Sequence, residues 1–172
     1  MLEKYAKEQR NLIPAMDLDF AYQRPAHGIA TFFGIGLFKP CSGTFGTLGG
    51  WLFYLLLEPY VSTTFWFFLI LVTLFVGAWA SQIAGDAIGY HDHPSIVIDE
   101  VVAIWLLMVL VPQECFWYCA AFVTFRFFDI VKCPPVSWID ENCRNGWGVM
   151  LDDLVAVVQA GLLMCLLYWI FS

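Results

Sequence analysis

Charged residues are scarce in this chain. Only 13% of its 172 residues are Asp, Glu, Lys or Arg, whereas 60% are hydrophobic and 18% are aromatic. A soluble domain is typically about 25% charged, so the composition predicts an integral membrane protein. The eight Lys and Arg residues leave a net charge of −7 and form no basic patch, which argues against nucleic acid as a partner.

Several familiar motifs are also absent. The six cysteines include no C-x-x-C pair, so neither a structural zinc site nor a disulfide framework is indicated. The first 24 residues are polar and lack the apolar centre of a secretory signal. We therefore expect residues 1–26 to be a cytoplasmic N-terminal arm, followed by one membrane-embedded domain at residues 27–172.

Long apolar runs predict the fold class. A helix that crosses a bilayer needs about 20 mostly apolar residues. Residues 65–84 and 151–171 meet this need most clearly, residues 97–111 and 115–131 suggest a helical hairpin, and residues 46–61 form a fifth candidate. Residues 29–38 are too short to cross and are expected to be re-entrant or interfacial. The prediction is an all-α, polytopic bundle of about five membrane-embedded helices.

The basic residues orient this bundle. Five of them precede the first span and two lie before the last one, whereas the turns near Ser62 and Pro112 have none. The positive-inside rule then puts the N-terminus in the cytoplasm. With five crossings, the glycine-rich stretch at 43–50 and every acidic pair described below would meet at the cytoplasmic face.

The first chemical candidate is the pair Asp99-Glu100. Adjacent acids at the end of an apolar segment are costly near lipid and are usually functional. The alternative is that both acids merely favour the start of a helix through its dipole. His91, Asp92 and His93, just upstream, are secondary candidates or ordinary loop residues, and two histidines alone are a poor zinc site.

Two further clusters carry acids and bases at helical spacing. Arg126, Asp129 and Lys132 lie on one side of a helix, either as an ion pair that braces it or as a phosphate clamp beside a metal ligand. Asp152-Asp153 follows a glycine-containing loop, and these acids either cap a helix or bind metal. Carboxylate oxygens suit a hard divalent cation.

The glycine-rich stretch allows two interpretations. The backbone amides of Gly43, Thr44 and Thr47 could cradle phosphate at a helix start, or Gly46 and Gly50 could serve close helix packing. No Walker motif, C-x5-R motif or D-x-D-x-T/V motif is present. The remaining phosphatase chemistry is water activated by a metal ion on carboxylates.

Taken together, these motifs resemble the phosphatidylglycerophosphatase A family of bacterial membrane lipid phosphatases. The resemblance is carried, in order, by Phe33-Gly34-x-Gly36-Leu37, Gly43-Thr44-x-Gly46-Thr47, His91-Asp92-His93-x-Ser95-Ile96-Val97-x-Asp99-Glu100, Phe125-Arg126-x-x-Asp129-x-x-Lys132, Pro135, Asp140, and Gly148-x-Met150-x-Asp152-Asp153-x-x-Ala156. Ser42, Cys133 and Asn145 depart from the family pattern, but no carboxylate of that pattern is missing.

The resemblance implies Mg²⁺-dependent hydrolysis of phosphatidylglycerophosphate to phosphatidylglycerol and inorganic phosphate at the bacterial inner membrane. The expected metal ligands are Asp99, Glu100, Asp129, Asp152 and Asp153. Glu100, Asp129 and Asp153 are the expected catalytic residues, and Arg126, Lys132, Gly43, Thr44 and Thr47 are expected to bind phosphate. The number of metal ions and the oligomeric state stay open.

Three alternatives compete with this hypothesis. An ion-coupled or proton-coupled transporter would spread its acids across the membrane depth and show an internal repeat, which we do not find. A lipid phosphotransferase would need an Asp-Gly…Ala-Arg pattern that the chain lacks. A structural subunit would not need so many acids.

Overall fold

The computed structural model describes residues 15–90, 93–131 and 145–171, and all regular secondary structure in these ranges is helical. Seven α-helices lie in these ranges, and two short 3₁₀ turns join them at Ile35–Leu37 and Glu58–Tyr60. The α-helices are α1 (Leu18–Gln23), α2 (Pro25–Ala30), α3 (Ser42–Leu57), α4 (Thr63–Ile88), α5 (Ile98–Leu110), α6 (Cys115–Val131) and α7 (Gly146–Phe171). The predicted all-helical fold class is confirmed.

Polar residues define the helix ends. The Asp17 carboxylate accepts the Phe20 amide at the start of α1, and the Ser62 hydroxyl accepts the Phe65 amide at the start of α4. Such caps satisfy amides that have no partner inside the helix. At its other end, α4 stops at Gly89, whose φ of 74° lies in the left-handed region that glycine adopts without strain.

Helix α5 forms the centre of the bundle. It packs against α3, α4, α6 and α7, and most of its side chains are fully buried. A helix that is apolar on all sides belongs inside a protein, and this one has only 13 residues. The segment predicted as a span at 97–111 is therefore the central helix of the bundle, surrounded by four others.

The close approach of α3 to α5 depends on glycine. A Cβ atom on Gly46 would lie 2.5 Å from Cβ of Val97, and one on Gly50 would lie 3.1 Å from Cα of Val101. A side chain at either position would force the two helices apart. The packing interpretation of the G-x-x-x-G spacing is thus confirmed for these two glycines.

Two helices are long and apolar enough to cross a membrane. They are α4, with 26 residues, and α7, for which residues Gly146–Ile170 meet the same test. Twenty-six residues span about 39 Å, more than the roughly 30 Å hydrocarbon core. The other three predicted spans are helices of 16, 13 and 17 residues. Large apolar side chains, such as Phe68 on α4 and Leu162 on α7, are exposed on the outside of the bundle.

The segment at 29–38, predicted to be re-entrant or interfacial, forms a tight turn that supports a loop. Phe32, Phe33 and Gly34 have positive φ angles, and a 3₁₀ turn follows. A Cβ atom on Gly36 would lie 2.2 Å from the Ser95 carbonyl oxygen, so the turn rests directly on the loop before α5.

The last part of the predicted arm also packs against the bundle. Met16 and Ala21 are buried within it, although both fall before residue 27.

Candidate functional site

All of the predicted site residues that the structure describes, except Thr47, line one open cavity of about 410 Å³. It lies where α3 and α5 begin, where α6 ends, and beside the second turn of α7. The side chains and backbone that line it come from four helices and two loops: Pro40, Cys41, Ser42, Gly43, Thr44, His93, Pro94, Ile96, Asp99, Glu100, Arg126, Asp129, Ile130, Asp152 and Asp153. Segments far apart in sequence therefore converge as the motifs predict.

Three carboxylates form the centre of this cavity. Asp99, Glu100 and Asp153 each offer an oxygen atom, and these oxygens lie within 4.8 Å of one another. Asp153 is only 4% exposed. Among the described residues, neither Glu100 Oε2 nor Asp153 Oδ2 has a hydrogen-bond partner, although both atoms are buried. Like charges repel strongly at this distance, so a bound cation would relieve the cluster.

The donor set indicates which cation would fit. All three atoms are carboxylate oxygens, which suit hard cations such as Mg²⁺ or Ca²⁺ rather than soft metals. Asp153 Oδ2, which has no partner among the described residues, can act as such a ligand. Asp129 and Asp152 line the same cavity but do not belong to the three-residue cluster.

The position of Asp152 and Asp153 corrects one expectation. Helix α7 was predicted from residue 151, with both acids at its start, but it begins at Gly146. The Asn145 side chain caps it by accepting the Gly148 amide at 2.8 Å. The capping alternative for the two acids is therefore wrong, because they lie roughly 10 Å along the helix. Both side chains are buried inside the bundle.

Asp99 and Glu100 lie where the helix-dipole interpretation expects them, and they also line the cavity. They occupy the first turn of α5, where carboxylates favour the positive end of the helix dipole. Val97 at the N-cap makes no side-chain cap bond. The dipole helps to hold two negative charges at the wall of the cavity.

Arg126 connects three elements of the site. Its Nη1 atom pairs with the Asp129 carboxylate one turn later on α6, and it lies 3.6 Å from Glu100 Oε1 on α5. The same nitrogen donates to Thr47 Oγ1 on α3 at 3.3 Å. The bracing ion pair between Arg126 and Asp129 is confirmed, and the arginine also reaches the acidic cluster.

Gly43 lies against the pair formed by Glu100 and Arg126. A Cβ atom at this position would be 2.1 Å from Glu100 Oε1 and 3.2 Å from Arg126 Nη2. Its carbonyl oxygen accepts the Thr47 hydroxyl at 2.8 Å. The absence of a side chain at Gly43 thus lets the start of α3 approach the charged groups directly.

The loop before α5 is fixed from several sides and carries His93 into the cavity wall. The Ser42 hydroxyl donates to the Pro94 carbonyl, and the Val97 amide donates to the Ala30 carbonyl at 2.9 Å. His93 Nδ1 accepts the Ser95 amide at 3.0 Å. Because Nδ1 is the acceptor, the imidazole is neutral and carries its hydrogen on Nε2.

Some predicted residues lie outside the described part of the chain, and one contributor was missed. Lys132, His91 and Asp92 fall outside the described ranges. Ser42 stands at the start of the glycine-rich stretch and was not predicted as a site residue, yet its hydroxyl fastens the start of α3 to the loop at Pro94. That position was the available signal.

Comparison with known proteins decides the family. The family model PgpA, described as Phosphatidylglycerophosphatase A, matches residues 28–168. The chain belongs to this family. PgpA proteins are lipid phosphatases, so the chain is a hydrolase, as the motifs predicted. Nothing in the comparisons favours the transporter alternative.

Three relatives illustrate the similarity. A Phosphatidylglycerophosphatase A of Haemophilus influenzae is 35% identical over 147 residues, which cover 84% of this chain and 90% of that protein. The Escherichia coli protein of the same name is 36% identical and covers 81% of each chain. A Bacteroides thetaiotaomicron protein named "Putative phosphatidylinositol-3-phosphatase" is 36% identical over 84% of this chain and 94% of its own length. No solved structure matches this PgpA chain.

Proposed function

We propose that this protein hydrolyses phosphatidylglycerophosphate to phosphatidylglycerol and inorganic phosphate, with Mg²⁺ as its cofactor. The observation that carries the proposal is the convergence of Asp99, Glu100 and Asp153 with Arg126 in one cavity of a PgpA-family protein. A cluster of carboxylate oxygens suits a divalent cation, and an arginine beside it suits a phosphate.

Asp99, Glu100 and Asp153 would hold Mg²⁺, because their oxygens already lie close together. Asp129 and Asp152 complete the acidic surroundings from the neighbouring wall of the cavity. A magnesium ion bound there would supply Lewis-acid chemistry, lowering the pKa of a coordinated water and offsetting charge on the phosphoryl oxygens.

The phosphate-binding groups would come from the opposite wall. Arg126 binds phosphoryl oxygens through its guanidinium, which Asp129 and Glu100 hold in place. The amides of Gly43 and Thr44 lie at the start of α3, where a helix favours anions. Thr47 fixes the arginine through its hydroxyl. Lys132, three residues after Asp129 in the sequence, would add a second cation.

His93 extends this donor set. It is buried, it lines the cavity, and the Ser95 amide leaves its hydrogen on Nε2. We assign it a hydrogen bond to a phosphate oxygen rather than a metal ligand, because neither ring nitrogen offers a free lone pair in that tautomer.

In the hydrolysis step, Glu100 is the proposed general base. Its Oε2 has no partner among the described residues, whereas Oε1 lies near Arg126. Oε2 accepts a proton from the attacking water as the new P–O bond forms. The bond to the glycerol oxygen then breaks, and that oxygen leaves with the electron pair and takes up a proton.

The proposed setting is the cytoplasmic face of the bacterial inner membrane. We place α4 and α7 across the bilayer, since both are long and apolar enough, and α3, α5 and α6 embedded beside them. Residues 27–172 then form the membrane-embedded enzyme and residues 1–26 the cytoplasmic arm. The lipid substrate reaches the cavity from the surrounding bilayer.

Cys41 offers a test of this orientation, since it is exposed and lines the cavity. A variant that keeps only this cysteine should react with a membrane-impermeant maleimide in inside-out vesicles but not in intact spheroplasts. Labelling in spheroplasts would place the cavity on the outer face and reject the cytoplasmic site.

Phosphate release by the purified protein tests the activity itself. We expect turnover of phosphatidylglycerophosphate that chelation removes and added Mg²⁺ restores. Asp129→Asn and Asp153→Asn should insert normally and lose activity. Asp86→Asn is the matched control, because Asp86 pairs with Gln82 outside the cavity. Full activity in Asp153→Asn would remove that residue from the mechanism.

The Bacteroides relative supplies a second candidate substrate for the same assay. Phosphatidylinositol 3-phosphate also presents a phosphomonoester on a lipid head group. A higher kcat/KM for this lipid than for phosphatidylglycerophosphate would change the assigned substrate and leave the site chemistry intact.

A further inference from the structure

A second cavity lies beside the carboxylate cavity. It has a volume of about 500 Å³, and its walls are mainly apolar, with two acids among them: Met16, Asp17, Leu18, Asp19, Gly34, Leu37 and Phe38. None of the described residues lines both cavities. A mostly apolar pocket of this size can enclose part of a hydrocarbon chain.

The chain itself joins the two cavities. Phe38 lines the apolar cavity and Pro40 lines the carboxylate cavity, so their Cα atoms are at most about 7.6 Å apart. Lys39 is the single residue between them, and its side chain is exposed. The border between the two cavities is therefore marked by one cation.

Lys39 differs from Arg126, the other basic side chain that the described residues place near the site. Arg126 is engaged by Asp129 and Glu100, whereas Lys39 makes no ion pair within the described ranges. The described lining of the carboxylate cavity has five acids and one arginine, so it repels an anion that the metal and the phosphate-binding cations do not hold. A second anionic group at its edge would need another cation.

We infer that Lys39 binds the phosphodiester of the lipid substrate, and that the apolar cavity takes the first part of an acyl chain. This inference rests on the proposed function. The proposed substrate carries a phosphomonoester and a phosphodiester separated by one glycerol. With the monoester in the carboxylate cavity, the diester reaches the border and the acyl chain continues beyond it. Asp17 and Asp19 disfavour a phosphate in the apolar cavity, so the acyl chain of the lipid enters there instead.

A lysine suits this role physically. Its ammonium is a compact charge on a flexible four-carbon stem, which can follow a mobile head group. The contact would distinguish a phospholipid with a diester from a simple phosphomonoester. Lys39 is thus a specificity residue rather than a part of the reacting centre.

Competition by the two products separates this contact from the rest of the site. Phosphatidylglycerol retains the diester, whereas inorganic phosphate fills only the monoester position. In Lys39→Ala we expect KM for phosphatidylglycerophosphate and Ki for phosphatidylglycerol to rise about tenfold, equivalent to about 1.4 kcal/mol. We expect Ki for inorganic phosphate and kcat to change less than about twofold. Lys39→Arg should restore the lipid constants.

Arg24→Ala is the matched control, because Arg24 is also exposed and lines neither cavity. Unchanged lipid constants in Lys39→Ala would overturn the inference. An equal rise in Ki for inorganic phosphate would also overturn it, since the lysine would then act on the whole site. Absence of wild-type turnover would instead reject the proposed function.

Substrates of different acyl-chain length test whether the apolar cavity binds the acyl chain. Leu18→Asp introduces a carboxylate at an exposed position in the first turn of α1, where a negative charge is tolerated. We expect it to raise KM several-fold for a long-chain substrate and to leave a short-chain substrate unaffected. An equal effect on both substrates would exclude the acyl chain from this cavity.

Discussion

The Gly43→Ala substitution separates activity from stability at this site. Gly43 is the second residue of α3, and a Cβ atom there would lie 2.1 Å from Glu100 Oε1. Ordinary contact requires about 3.5 Å, so the carboxylate must move by more than 1 Å. The clash involves the end of a flexible side chain, and alanine favours a helix by roughly 0.5–1 kcal/mol over glycine. The protein should therefore fold and insert as well as the wild type.

The expected loss is catalytic. A displacement of about 1 Å at a reacting group can cost roughly 100-fold in rate. We expect kcat for phosphate release to fall about 100-fold in Gly43→Ala, while the melting temperature is unchanged or higher. Gly161→Ala is the matched control, since its added Cβ would meet Leu107 at an ordinary 3.9 Å. That variant should keep both activity and stability.

A double-mutant cycle identifies the clash as the cause. Glu100→Asp removes one methylene and withdraws the carboxylate from Gly43. Adding Gly43→Ala to this variant should cause little further loss, so the two effects should be strongly non-additive. Additive losses, or near-wild-type kcat in Gly43→Ala, would refute the proposed contact between the start of α3 and Glu100.

Three further predictions concern the charged groups and His93. Arg126→Lys keeps the charge but loses the planar guanidinium that pairs with Asp129 and contacts Glu100. We expect kcat/KM to fall about 100-fold, or about 2.7 kcal/mol. A loss below threefold would contradict the proposed phosphate contact of Arg126. Mg²⁺ should raise the melting temperature of the wild-type protein by several degrees, because it binds the native state. It should leave the melting temperature of Asp153→Asn unchanged. Equal shifts in both proteins would exclude Asp153 as a ligand. His93→Phe should raise Ki for inorganic phosphate about tenfold. His93→Gln should keep the wild-type Ki, because its amide N–H can lie near the Nε2 position. A changed Mg²⁺ requirement in either variant would instead make His93 a metal ligand.

The hydropathy pattern was sufficient to locate the major helices. The prediction for 115–131 matches α6 at both ends, and that for 97–111 differs from α5 by one residue at each end. Apolar runs bounded by Pro or Gly give clear limits. The largest error was at α7, which begins five residues early because Asn145 caps it and Gly146 fits closely against α4. The contact of Gly146 is not visible without the partner helix, whereas the Asn145 cap is local to the segment.

The residues that line the candidate site could be predicted from the sequence, but the positions of their side chains relative to one another could not. Acids that are costly near lipid were readily chosen, and Asp99, Glu100 and Asp153 do meet. The sequence could not distinguish their roles from helix capping, since both interpretations place an acid near a helix start. That distinction needed the true start of α7 and the buried position of Asp153. Likewise, Gly43 was predicted as an amide donor, but its clearance for Glu100 depends on a contact across two helices.

One part of the arrangement follows from counting residues along the hairpin of α5 and α6. Ten steps lead from Glu100 to the end of α5 at Leu110, and eleven lead from the start of α6 at Cys115 to Arg126. At about 1.5 Å per residue these distances are roughly 15 and 17 Å, so an antiparallel pair joined by a short turn brings the two residues to nearly the same level. Asp129 follows one turn later on the same face of α6, which explains how one guanidinium contacts both acids. Because an arginine and a carboxylate near lipid are stable only when paired, the nearly equal lengths of the two arms make this pairing the natural register of the hairpin.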